Sequence, residues 1–171
     1  LEATLARPPK RRGARGPALA GWGEPAERNY YPDFPVGAFQ GDPLLRWVKP
    51  DIFRLEVEAG QPFQFIRKAG EVITPGAMLT DGGSIPRWAG LFSDKLSPWG
   101  YAPAFLIHDW LFDCHHAGTT DKRFEEVRDI MMEGVKTLME SGRCERSLVV
   151  FNLIYSGIDS PVARAIWNRK K

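Results

Sequence analysis

The apolar residues of this chain change period part-way along, and that change constrains the fold more than any other feature. Within Ile52–Glu58, Phe53, Leu55 and Val57 fall on one side and Arg54, Glu56 and Glu58 on the other. Period two marks a strand with one buried face. Ala59–Gly60 turns the chain, Phe63 and Phe65 continue the alternation, and Lys68–Gly70 turns it again before Val72–Thr74 and Pro75–Gly76. Further on, Phe124, Val127, Met131, Val135 and Leu138 recur at helical spacing and form a single stripe. Strands first and helices after predict an α+β fold: a small antiparallel β-sheet followed by a helical hairpin and one or two further C-terminal helices.

The expected boundaries follow from local chemistry. Leu44–Val48 is a further short strand. A first helix spans 98–117, with Pro103 in the first turn, where a missing N–H does no harm, and Gly118 at its end. Thr119 or Thr120 caps a second helix running from Asp121 to about Ser141. Residues 145–158 form a third, and Ser160–Pro161 starts a short last one ending near Asn168.

Residues 1–43 read as an extended basic and aromatic arm, and 44–171 as a single α+β domain. The segment PPKRRGARGP has no hydrophobic period and too little apolar surface to offset its ordering entropy. Net charge is only +2, so contact with nucleic acid rests on Lys10–Arg15 alone. Residues 22–43 place aromatics between Pro and Gly, as a strap that buries Trp22, Tyr30, Tyr31 and Phe34. The longest apolar run, Leu148–Tyr155, is interrupted by Asn152 and too short to span a bilayer. Cys114 and Cys144 fall about a helix length apart, roughly 20 Å at 1.5 Å per residue, too far for a disulfide. Reduced cysteines fit synthesis in a cytoplasm.

The chemistry concentrates in Thr80–Asp121. Asp81 sits in a Gly-rich turn, His108–Asp109 on the first helix, and Asp121 at the start of the second. Adjacent helix residues point about 100° apart, so His108 faces the second helix and Asp109 the Gly turn. Asp121, three residues before Phe124, falls on the buried stripe and needs a partner. Its carboxylate would bond His108, fix the tautomer, and leave the other ring nitrogen to take a proton from water. Asp81 and Asp109, with carbonyls of Gly82 and Gly83, offer the oxygen ligands calcium prefers. Such a cation would polarise a carbonyl for attack. The same residues admit a structural reading, in which Asp81 caps its own turn and His108–Asp121 is a core pair. His108, His115 and Cys114 do not match zinc spacing. Ser84 lacks the G-x-S-x-G surroundings of an activated serine. No phosphate-binding or dinucleotide fingerprint is present.

Three motifs in combination resemble the domain of unknown function 1353 family of tailed phages and prophages. They are Thr80-Asp81-Gly82-Gly83-Ser84-Ile85-Pro86, Ile107-His108-Asp109-Trp110-Leu111-Phe112 and Asp121-Lys122-Arg123-Phe124, and the resemblance covers about residues 50–167. It implies a phage virion-associated structural protein, a tail, neck or capsid accessory component made in the bacterial host cytoplasm. Its N-terminal arm would anchor it to other virion subunits. A more remote, motif-level resemblance is to secreted phospholipase A2 of the bacterial and fungal type. It implies His108 as general base, Asp121 as its orienting acid, and Asp81 and Asp109 as calcium ligands. The alternative function is then a calcium-dependent lipid or ester hydrolase acting on phospholipid of the host envelope.

Overall fold

A computed structural model describes residues 28–50, 52–81 and 98–169. Strands come first: β1 (Ala38–Gln40), β2 (Leu44–Lys49), β3 (Ile52–Glu56), β4 (Gln64–Ile66), β5 (Val72–Ile73) and β6 (Met78–Thr80). Four helices follow: α1 (Ala102–His116), α2 (Phe124–Glu140), α3 (Leu148–Ile158) and α4 (Pro161–Trp167). The architecture is α+β, as the change of period requires.

The strands form two antiparallel sheets rather than one, in the orders β1-β4-β5 and β2-β3-β6. The alternation from Phe53 to Phe65 is therefore shared between sheets. Leu55 pairs with Leu45 and Met78, whereas Phe65 pairs with Phe39 and Ile73. Gly60, at φ +94°, bends the chain away after β3, and Pro62 has no N–H to give to a continuing ladder. Both sheets nevertheless feed one core, where Leu55, Phe65, Ile73 and Met78 meet Leu106, Ile107 and Leu111 of α1 and Val127 and Ile130 of α2. A second cluster joins Phe105, Met131, Met132, Val135 and Leu138 to Phe151 and Ile154 of α3.

The α2 helix serves both clusters, so its middle is buried almost all round. Two consequences follow from that position. Glu133 is only 1% exposed, and a buried carboxylate needs donors. Arg67 Nε donates to it at 2.9 Å and the Lys68 backbone N–H at 2.6 Å. Arg67 also reaches Glu71, which meets Lys122, so an ion network ties the β4–β5 turn to the helices. Gly134 faces α1: a Cβ there would lie 3.2 Å from Ala104 Cβ, which is how the two helices approach so closely.

The expected strap lies, from Arg28 onward, on the chain's own helices. Tyr31 enters the core, Tyr30 stacks on Tyr155 with ring centroids 4.0 Å apart, and Lys136 Nζ donates to the carbonyls of Tyr31 and Phe34. Trp22 and Lys10–Arg15 fall outside the described residues.

Helix ends follow their local signals with one exception. Gly118 leaves α1 at φ +69°, and Ser147 and Ser160 accept from Val150 and Ala163 N–H at the starts of α3 and α4. The start of α2 is Phe124, not Asp121. Thr119 turns back to the Cys114 carbonyl, and Thr120 Oγ1 accepts the Lys122 N–H. These side chains build a turn ahead of the helix. Glu126 then reaches back to the Arg123 N–H at 2.9 Å, one half of a capping box. Cys114 and Cys144 are both free thiols. No helix among the described residues is long and apolar enough to cross a membrane.

Candidate active site

One stripe of α1 only partly enters the cores, through Phe105 in the second cluster and Phe112 against the first. Phe105, His108, Asp109, Phe112, Asp113 and His116 recur at helical spacing, and together they wall a cavity of about 590 Å³. Leu79, Thr80 and Asp81 face them from β6 and its end, Lys49 and Ile52 from the β2–β3 turn. The third side is α4, through Val162, Ala163 and Ile166. A cavity of this size with apolar walls and a few convergent polar groups is the usual form of a small-molecule site.

His108 is the unusual member. Its side chain is 14% exposed, its ring packs 4.4 Å from that of Phe112, and Nε2 is buried without a hydrogen-bond partner among the described residues. Nδ1 lies 3.8 Å from Asp109 Oδ1, beyond a hydrogen bond. Asp109 is held differently. Its Oδ2 accepts from the buried Thr80 Oγ1 at 2.9 Å, which ties α1 to β6 one residue before Asp81. Asp81 and Asp109 thus line the same cavity on either side of Thr80.

The expected His108–Asp121 hydrogen bond is not made. Asp121 lies in the loop ahead of α2 and is exposed. The expectation extended the helical stripe back to Asp121, but the Thr120 turn takes that residue out of the helix and leaves its side chain at the surface. Gly82 and Gly83, the other expected ligands, lie outside the described residues. Among the described residues no group of three or more His, Cys, Asp or Glu side chains is placed to hold a metal ion.

The two other histidines fasten α4. The His115 ring stacks on Trp167 at 3.6 Å and 12°, and His116 Nε2 lies 3.2 Å from the Ile166 carbonyl. Arg164 adds bonds to Glu125 at 2.7 Å and Asp159 at 2.9 Å. These contacts hold the cavity's third wall in place. Sequence reasoning missed Asp113, His116 and Thr80 as cavity residues. The signal for the first two was their spacing of four and eight from Asp109 and His108. It is faint because apolar residues occupy most of the helix.

A family model described as "Protein of unknown function (DUF1353)" matches residues 57–150, more than half of the chain. That range runs from the end of β3 to the start of α3 and includes Thr80, Asp81, His108 and Asp109. No curated protein and no solved structure matches the chain.

Proposed function

This chain belongs to the DUF1353 family, whose description assigns no activity, and from that starting point we propose that the α1 cavity is a general-base hydrolytic site for an ester carrying an apolar chain. The observation that carries this reading is an imidazole in an apolar cavity with its Nε2 buried and without a partner among the described residues, beside a carboxylate held in position by Thr80. Nδ1, on the Asp109 side, would take a proton from water as the water attacks the ester carbonyl, Asp109 would stabilise the imidazolium that forms, and that imidazolium would return the proton to the leaving alcohol oxygen as the ester C–O bond breaks. The apolar walls would hold the chain of the substrate, a phospholipid in the first instance. Asp81 and Asp109, with the Gly82 and Gly83 carbonyls, would hold calcium, whose chemistry would be to polarise that carbonyl. The common lining by both carboxylates supports this ligand set.

The test is fatty-acid release from mixed phospholipid vesicles with and without calcium. Wild type should release fatty acid, and His108→Leu should be slower by about 10²-fold or more, the contribution typical of general-base catalysis. Absence of release by wild type at every calcium level refutes the reading.

A second reading, as a phage virion-associated component anchored through its N-terminal arm, draws support from the strap. Tyr30 on Tyr155 and Lys136 on the Tyr31 and Phe34 carbonyls give the preceding segment a fixed base on α2 and α3. Removal of residues 1–27 should leave thermal stability unchanged and abolish incorporation into particles. Full incorporation of the shortened chain would refute it.

A further inference from the structure

We propose that the outer edge of β2 and the outward face of its sheet form a docking surface for an acidic, extended polypeptide segment that adds to β2 as a strand. The inference needs neither reading above, although Leu79 at the border of this face also lines the cavity.

Among the described strands the order β2-β3-β6 leaves β2 with one neighbour. Beyond its ladder with β3, residues 44–49 make no backbone–backbone hydrogen bond among the described residues. A row of unpaired N–H and C=O groups is a template for another strand. At six residues β2 is the longest strand described, and five of its residues are exposed. Leu44 and Val48 are among them, and Trp47 is 69% exposed. Trp at a surface is the residue type that contributes most when a partner covers it.

The register shows which chemistry the partner needs. Pairing of Leu44 with Glu56, Arg46 with Arg54 and Arg54 with Leu79 puts these five side chains on one face. Like charges directly opposite each other destabilise a sheet, and Arg46 and Arg54 are such a pair. Glu56 answers Arg46 at 3.1 Å. Arg54 makes no ion pair among the described residues. Leu79, 61% exposed, lies beside Arg54. Two cations therefore stand against one carboxylate among the paired residues of this face.

A second copy of the chain is a poor occupant, because two such faces would bring together four cations and two carboxylates. The bulge between Trp47 and Lys49 also interrupts the edge against self-pairing. An alternating acidic and apolar segment fits both features. Its backbone would complete the β2 ladder, its carboxylates would lie over Arg46 and Arg54, and its apolar residues would fall on the opposite face with Trp47. Backbone pairing favours a polypeptide over nucleic acid or lipid, which offer no ladder.

The experiment uses the full chain and two labelled octapeptides, one alternating Glu and Val, the other Lys and Val, followed by anisotropy and amide hydrogen exchange. The acidic peptide should bind about tenfold more tightly, as expected of a few exposed charge pairs, and should protect the 44–49 amides. The double variant Arg46→Glu/Arg54→Glu should reverse the preference. Arg54→Gln, which leaves the Arg46–Glu56 pair intact, should weaken the acidic peptide several-fold and guards against a fold defect in the double variant. The proposal is overturned by no binding, by equal binding of the two peptides, or by protection elsewhere in the chain. It is also overturned by an unchanged preference in folded variants, or by tighter binding to anionic vesicles or a DNA oligonucleotide. Self-association of the unliganded chain through these same amides would assign the edge to a second copy and overturn it as well.

Discussion

His108→Leu separates a functional histidine from a structural one without knowledge of any substrate. The Nε2 atom is buried with no partner among the described residues. An unsatisfied buried polar atom costs about 1–3 kcal/mol. Leucine removes that atom, keeps a comparable volume against Phe112, and adds apolar surface to a side chain already 14% exposed. The change gives up only the 3.8 Å approach of Nδ1 to Asp109, and Asp109 keeps its bond from Thr80. The balance is a gain of about 1 kcal/mol in folding stability. For a chain of this size that is a rise of about 2–4 °C in Tm. Urea denaturation and thermal melts of the two proteins measure it, with Asp121→Ala as a control. Asp121 is exposed and outside the helix, so its removal should change stability by less than about 0.5 kcal/mol. A stabilised, inactive His108→Leu is the mark of a residue kept for chemistry. If His108→Leu instead loses more than about 1 kcal/mol, and Asp121→Ala loses as much, the histidine is a core group bonded to Asp121 and the reasoning fails.

Three further changes probe the scaffold. Glu133→Gln should cost about 3 kcal/mol, the low end for breaking a buried ion pair, because Arg67 retains Glu71; a loss below about 1 kcal/mol in urea would contradict the network's role. Gly134→Ala should be close to neutral, since about 1 kcal/mol of helix propensity offsets the 3.2 Å approach to Ala104. Gly134→Val should lose about 1–3 kcal/mol by overpacking, and equal stability of the two variants would refute the close approach. Burial alone would raise the Glu71 carboxyl, but hydrogen bonds from Lys122 and Arg67 overcome it and hold it below its ordinary 4.5. A depressed carboxyl stabilises the fold above its unfolded value and loses that contribution as pH falls through the folded one. Stability of wild type should therefore drop more steeply than that of Glu71→Gln below about pH 4.5, and parallel curves would rule the contribution out.

The sequence by itself determined what depends on neighbours a few residues away. The period of Phe53 and Leu55 made a strand, the stripe from Phe124 to Leu138 made a helix, and Gly118 and Ser160–Pro161 ended one helix and began another. Those signals act through φ preference, capping and one-sided burial, all of them local. They also brought Asp81, His108 and Asp109 towards one place, since a turn and a following helix leave few alternatives. Tertiary structure decided the rest. Whether Phe65 joins the sheet of Leu55 depends on Phe39, which lies far off in the chain, as well as on Ile73 across the next turn. The helical stripe suggested that Asp121 was buried, yet a side-chain bond from Thr120 to the Lys122 N–H set it in a loop. Glu133 looks like a surface residue until Arg67 and Lys68 arrive from the β4–β5 turn. The cavity exists because α4 is pinned by His115 and His116 to the end of α1. Local preference limits each element to a few conformations, but the position of an element is set by groups distant in sequence, and their meeting is written in no single stretch of the chain.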